Sequence, residues 1–409
     1  MNIAEKDFLS VISAYFNGNT DFFMSEKTFS QIAFLAKKHN VLPIVCETLS
    51  EKYGKEKFFQ NEKLLSIARY SAQMRKTEKF LKVYCALCES GVRAICVKGV
   101  ILRSLYKNGE LRPSSDEDIL IKPEDFPTLE KVMEENGFEL LNEASNEKTY
   151  FDKTSMLIIE AHEKLFFEGG ELGKTLDGFF ESPFCGSYEV IISDIPVLTL
   201  DVQRGLLYLV CHAFKHFIRC GVGIRQVCDI AVYIRTYKNE IDFDRLKNDL
   251  SKINAKKFFE GLVNIAVKYL GFEDIAFLLS DREKDDEALL DDILRAGIYG
   301  KGEESRIHSA GITLFAVTDK KEHGKIKKAL FPERSVLSAD HPSLKRFPLL
   351  YPWFAFLRIE KYAFSVVFKK ESTGTPGESI RIAKERIKLF KQYEITGKRP
   401  EDPKGRANK

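Results

Sequence analysis

Apolar residues recur at helical spacing through the first ninety positions and again beyond residue 200, and the stretch between them has the shorter rhythm of strands. Phe8, Val11, Ile12, Tyr15 and Phe16 share one helix face that stops at Asn17-Gly18-Asn19. A longer helical pattern covers about 62–89, with Phe80, Leu81, Val83, Tyr84 and Leu87 on its apolar side. Ser90-Gly91 closes it with a glycine suited to the left-handed C-terminal position. The β-branched run Val92-Arg93-Ala94-Ile95-Cys96-Val97 predicts a strand, and Gly99 separates it from a helical stretch over Val100–Tyr106. Asn108-Gly109 breaks that helix, and Arg112-Pro113-Ser114-Ser115 leads into a second strand from Asp116 to near Lys122. Pro123 opens a helix carrying Phe126, Leu129, Val132 and Met133, which Gly137 ends. Two or three strands are expected around 138–141, 149–151 and 156–160.

After Leu200 the helical period returns, with Leu206, Leu207, Leu209, Val210 and Phe214 on one face and Val227, Ile230, Ala231 and Ile234 on another. Residues 258–269 and 287–298 continue in that style. The βαβ order with extra antiparallel strands predicts an α+β protein, a small mixed-sheet core flanked by helical N-terminal and C-terminal regions. The expected division is a helical region over 1–90, the α/β core over 91–200, a helical domain over 201–300 and a loop-rich and helical region with a basic tail over 301–409. Within the last region, 300–346 reads as loop, Trp353 as an anchor that docks it on the body, and the residues from Lys398 onward as disordered.

Composition narrows the classes. Lys+Arg 63 against Asp+Glu 60 leaves a net charge of +3, so nucleic acid as a partner is not indicated by bulk electrostatics. The basic run at Lys320–Lys328 and the basic tail from Arg381 to Lys409 read as solvated faces. No apolar run approaches the ~18 residues of a membrane helix, and the nearest, Phe347–Leu357, contains Pro348 and Pro352. The start of the chain lacks the basic-then-apolar layout of a secretory signal. Eight cysteines in 409 residues are few for a disulfide scaffold, and the lone Cys85-Ala86-Leu87-Cys88 falls on a helical pattern where packing explains it. Together these predict a cytoplasmic protein with no membrane partner.

The candidate chemistry lies in Lys98-Gly99 and Asp116-Glu117-Asp118-Ile119-Leu120-Ile121. Strand alternation points Asp116 and Asp118 to one face and Glu117 to the other. Two like charges held that close call for a cation between them, and Mg2+ takes carboxylates plus substrate phosphates as ligands. Glu160 ends the apolar run Leu157-Ile158-Ile159, where a carboxylate is costly to bury unless paired or metal-bound. A neighbouring strand would set it beside the aspartates. At a strand-to-helix turn, Gly99 lets backbone N–H groups approach a phosphate at the positive end of the helix. Lys98 and Arg112 are candidates to neutralise a triphosphate or, equally, solvated surface residues. His162 reads either as a strand-end hydrogen bonder or as a catalyst. His212 and His216 stand at i, i+4 spacing that can bind zinc, but no third ligand is evident, so structural or substrate-groove roles are expected.

These residues resemble the nucleotidyltransferase superfamily with the polymerase-β-like core, and more closely a bacterial group of uncharacterised nucleotidyltransferases. The resemblance rests on Lys98-Gly99, Leu102, Leu105-Tyr106, Arg112 and Asp116-Glu117-Asp118, then Glu160 with His162, then His212, His216 and Asp229. It spans roughly 60–235, and more weakly 330–360. Two positions depart from the superfamily pattern: Val100 replaces a small residue after the glycine, and Glu117 stands where an apolar residue is usual, so that the strand is expected to begin exposed.

The resemblance implies a metal-dependent transfer of an NMP group from an NTP such as ATP to an acceptor hydroxyl or phosphate, with release of pyrophosphate. Asp116, Asp118 and Glu160 would be catalytic and hold Mg2+ or Mn2+ as two ions, which sit about 3.5–4 Å apart in such sites. Lys98, Gly99 and Arg112 would bind the nucleotide, and His162, His212, His216 and Asp229 would line a substrate groove. The acceptor class stays open among small molecules, proteins and RNA. The alternative is a degenerate core that binds a nucleotide or a partner protein without turnover.

Overall fold

The computed structural model describes residues 1–18, 24–144, 146–166, 170–280, 285–297 and 376–395. The expected loop over 300–346, the docking of Trp353, the basic run at 320–328, the weaker resemblance over 330–360 and the tail from Lys398 lie outside the described residues.

Four helices precede the sheet: α1 (Ile3–Asn17), α2 (Glu26–Lys38), α3 (Leu42–Tyr53) and the 33-residue α4 (Lys57–Glu89). Asn2 and Glu5 form a reciprocal capping box at the start of α1, and Gly18 ends it in the left-handed conformation. The strands are β1 (Ile95–Cys96), β2 (Asp116–Leu120), β3 (Glu139–Ala144), β4 (Glu147–Asp152), β5 (Leu157–His162), β6 (Tyr188–Ile192) and β7 (Ile195–Thr199). Between them lie the short α5 (Val100–Ser104), α6 (Phe126–Glu135) and α7 (Gly170–Phe179). α8 (Val202–Arg219), α9 (Ile224–Tyr237), α10 (Phe243–Lys252), α11 (Lys256–Leu270) and α12 (Glu287–Ala296) follow, and α13 (Pro376–Gln392) packs back beside α12. The fold is α+β.

The seven strands form one mixed sheet in the order β3-β4-β5-β2-β1-β7-β6. β2 runs parallel to β5 and antiparallel to β1, which in turn is parallel to β7. The β6–β7 hairpin, which the apolar pattern does not single out, turns on Ser193 and Asp194, both at positive φ (49° and 65°). That is the backbone a two-residue primed turn demands.

One face of the sheet is apolar. Ile119, Ile159, Ala161 and Cys96 pack there against Phe80, Val83 and Tyr84 of α4 and Leu129, Val132 and Met133 of α6. Alternation turns Asp116, Asp118 and Leu120 the opposite way, with Glu160 and His162 of the parallel neighbour in matching register. A second core joins the N-terminal helices to the helices beyond residue 200, so that Phe8, Ile12 and Val45 share it with Leu206, Val227, Phe258 and Leu289.

Two expectations are corrected. Glu117 is not an exposed start of its strand but is 2% exposed. Arg386, in the basic tail expected to be solvated, is buried and donates to the carbonyls of Phe217 and Ile218. A cation there satisfies the carbonyls left over at the end of α8.

Candidate active site

The turn from β1 into α5 is built around a carboxylate of the chain itself. Glu117 accepts the Val100 N–H through Oε2 at 2.7 Å and pairs through Oε1 with Arg103 Nη1 at 2.6 Å. Gly99 sits at φ +56°, and a Cβ added there would collide with the Glu117 carboxylate. Glycine is therefore required here by both conformation and space. Burial pushes the Glu117 carboxyl above its ordinary value, with Arg103 opposing.

On the opposite face, Asp118 and Glu160 are paired in register across β2 and β5, as are Leu120 and His162. Ligand atoms of Asp118, Glu160 and His162 lie within 4.8 Å of one another. His162 Nε2 stands 3.3 Å from Asp118 Oδ1 and 3.8 Å from Glu160 Oε2, and its Nδ1 is 3.4 Å from Glu147 Oε2. Lys98 Nζ is 2.9 Å from Asp118 Oδ2 and 3.3 Å from His212 Nε2, which is itself 3.3 Å from His216 Nε2.

The charges follow from these contacts. Burial would raise the Asp118 carboxyl, but Lys98 and then His162 outweigh it and hold it well below its ordinary value. Burial would lower His162, but its bonds to Asp118 and Glu147 lift it to about 9. At Glu160 the balance goes the other way: burial, then Asp118 and Asp116, outweigh Lys98 and His162 and push it up to about 7. The two α8 histidines are driven toward the neutral form, His216 to about 4, by burial and by Lys98.

A carboxyl raised by its acidic neighbours marks a cluster short of positive charge. Two carboxylates and an imidazole converging within a few ångströms fit a divalent cation; the carboxylates suit Mg2+ or Mn2+, and the imidazole is a ligand of transition metals rather than of Mg2+. Asp116 stands on the same face of β2 one pair further back, opposite Ile158, and adds to the field on Glu160.

A model of the family described as "Uncharacterised nucleotidyltransferase" matches residues 25–271. The chain belongs to that family. No curated protein and no solved structure matches it. The matched stretch contains the sheet, the carboxylate face and α8–α11.

The remaining candidates fall in a second cluster. Arg112 makes a bidentate pair with Asp229, Nε to Oδ1 at 2.6 Å and Nη2 to Oδ2 at 2.7 Å, and the Tyr106 hydroxyl donates to Asp229 at 2.8 Å. Both members of the ion pair are buried. Arg112 and Asp229 nonetheless line one cavity with Lys98, Gly99, Asp116 and His212. A larger cavity of about 270 Å³ lies between Leu120 at the end of β2, Glu163 just past β5, Phe166, Asp177 and Phe180.

Several site residues escape a reading by local pattern. Glu147 lies on β4 directly opposite His162, and Lys76 of α4 feels the fields of Glu117 and Asp116. Arg225 and Gln226 open α9 and line the cavity with Arg112. Only Gln226 carries a legible sign, a glutamine three residues after Gly223 before an apolar run, the mark of a capped helix start. No helix among the described residues is long and apolar enough to cross a membrane.

Proposed function

We propose that this nucleotidyltransferase moves an NMP group from an NTP to a hydroxyl or phosphate of its acceptor and releases pyrophosphate. The observation that carries this reading is the in-register pairing of Asp118 with Glu160 on parallel strands, with His162 completing the cluster. Asp118, Glu160 and His162 would hold the metal, with Asp116 available to a second ion. Bound there, Mg2+ or Mn2+ would polarise the transferring phosphoryl group and offset the charge that develops on it.

The chain's own residues divide the remaining work. Lys98 supplies a fixed positive charge beside Asp118, facing the cavity that also contains Gly99 and Arg112. The acceptor enters from the side of Phe166 and Phe180. Its oxygen attacks the α-phosphorus as the bond to the β-phosphate oxygen breaks, and its proton passes to Glu160. Glu160, in register beside Asp118 on the neighbouring strand, is placed for that task. Until a metal takes the place of its proton, His162 is held by Glu147 and orients Asp118, and Arg112 is steadied by Asp229.

A second reading has its own observation. Lys98 and His162 together engage both oxygens of Asp118, which is how a carboxylate is neutralised without a metal. On that reading the core binds a nucleotide or a protein without turnover. Calorimetric titration of the four NTPs with Mg2+ into the wild type and an Asp116→Ala/Asp118→Ala variant separates the two. Metal-dependent binding lost in the variant supports transfer, whereas absence of binding favours the degenerate core. Steep salt dependence of acceptor binding would mark RNA.

A further inference from the structure

The cavity bounded by Lys98, Gly99, Arg112, Asp116 and α9 is small, about 30 Å³. By the space a water needs, that is room for about two waters, which matches the oxygens at the end of one phosphate and is too little for a nucleobase. Its walls hold two buried groups that each keep one donor with no acceptor among the described residues. Gln226 is 8% exposed, and its Oε1 accepts the Gly223 N–H at 2.8 Å. A backbone N–H can only donate, so this bond fixes the amide orientation and leaves Nε2 as a donor. That Nε2 is unpartnered. Arg225 is 5% exposed, its Nη1 donates to the Pro113 carbonyl, and its Nε is likewise unpartnered. Buried donors are rarely left unsatisfied without a reason.

The complement of these groups is an acceptor-rich anion. Arg225 and Gln226 occupy the first turn of the 14-residue α9, where the helix dipole favours negative charge. Asp229 is paired with Arg112 and Tyr106 and also feels Arg225, and Lys98 is paired with Asp118, so that Asp116 is the lining carboxylate not engaged in such a pair. Leu102, Leu209, Ala213 and Ile230 complete the wall and keep the dielectric low, which strengthens charge-assisted hydrogen bonds.

We propose that Arg225 and Gln226 clasp the terminal phosphate of the nucleotide, so that this cavity takes the end of the polyphosphate chain and the nucleobase lies outside it. The inference rests on the nucleotidyl-transfer reading for the identity of the nucleotide, but the clasp itself requires only a polyphosphate. Inorganic tripolyphosphate, ATP and AMP are therefore titrated, each with Mg2+, into the wild type, Gln226→Glu and Gln226→Met. The glutamate keeps the bond from Gly223 and turns the free donor into a charged acceptor, and the methionine removes the donor without adding charge. Thermal unfolding without ligand establishes that each variant is folded, and if the glutamate variant is not, the methionine variant decides.

Tripolyphosphate and ATP should bind the wild type and weaken about ten- to hundredfold in the variants, the range expected for a hydrogen bond to a charged group, with AMP unaffected. Gln226-dependent binding of tripolyphosphate without any binding of ATP would sustain the clasp and sink the nucleotidyl-transfer reading. Equal affinity for tripolyphosphate in all three proteins, or none in any, would overturn the clasp even if ATP binds.

Discussion

At Asp118 a lysine and a histidine hold a carboxylate that the transfer reaction would offer to a metal. Replacing it with asparagine keeps a hydrogen-bonding group beside Lys98 and His162 but removes the charge. Asp118→Asn should lower nucleotidyl transfer by roughly a hundred- to a thousandfold, the scale of losing one electrostatic group from an active site, with little change in unfolding temperature. Retained turnover would remove Asp118 from the chemistry. Gly99 makes the opposite kind of demand. Gly99→Ala must force the Glu117 carboxylate aside while placing a side chain at φ +56°. A loss of about 1–3 kcal/mol in urea unfolding is expected; an unchanged midpoint would mean that Glu117 does not pack against the turn. Strand alternation made the facing of Asp116, Asp118 and Glu117 legible, because it depends only on neighbours in sequence. It could not show that Glu117 turns inward onto Val100 and Arg103, since that depends on where α5 begins.

Between elements, the Arg112–Asp229 pair ties the lead-in to β2 to the face of α9. Two buried charges in bidentate contact give little net stability, but deleting one strands the other in a low dielectric. Asp229→Asn should therefore cost about 3–5 kcal/mol, read from the midpoint of chemical unfolding, and a loss below 1 kcal/mol would show that water reaches Arg112. Both residues were visible as candidates, yet nothing in their local spacing joined them, because their partnership is made by the packing of α9 on the sheet. The β6–β7 hairpin illustrates the same limit at another site. Its turn is Ser193-Asp194 rather than a glycine pair, and Pro196 interrupts the second strand, so neither the turn nor the strand announces itself.

Across the whole molecule, the helical regions before and after the sheet are legible as helices from their apolar faces, but their merger into one core is not, because periodicity carries no information on which faces meet. His39 sits at that junction. It ends α2, is fully buried, stacks on Phe8 at 5.5 Å and accepts the Ile224 N–H at the start of α9 through Nδ1. Burial, then Lys38, drive its pKa from 6.5 down to about 3. The folded state thus accommodates only neutral imidazole, while the unfolded chain takes up a proton below about 6.5. Stability from this group is complete above that pH and is lost as the pH falls from about 6.5 toward 3, by about 5 kcal/mol at most if one proton is involved. His39→Asn keeps an acceptor for Ile224 N–H but cannot be protonated. It should be less stable than the wild type at pH 7 and show a smaller further loss between pH 7 and pH 4.5 in denaturant unfolding. Parallel stability profiles for the two proteins would mean that acid sensitivity arises elsewhere and that the junction between α2 and α9 opens to water before His39 is charged.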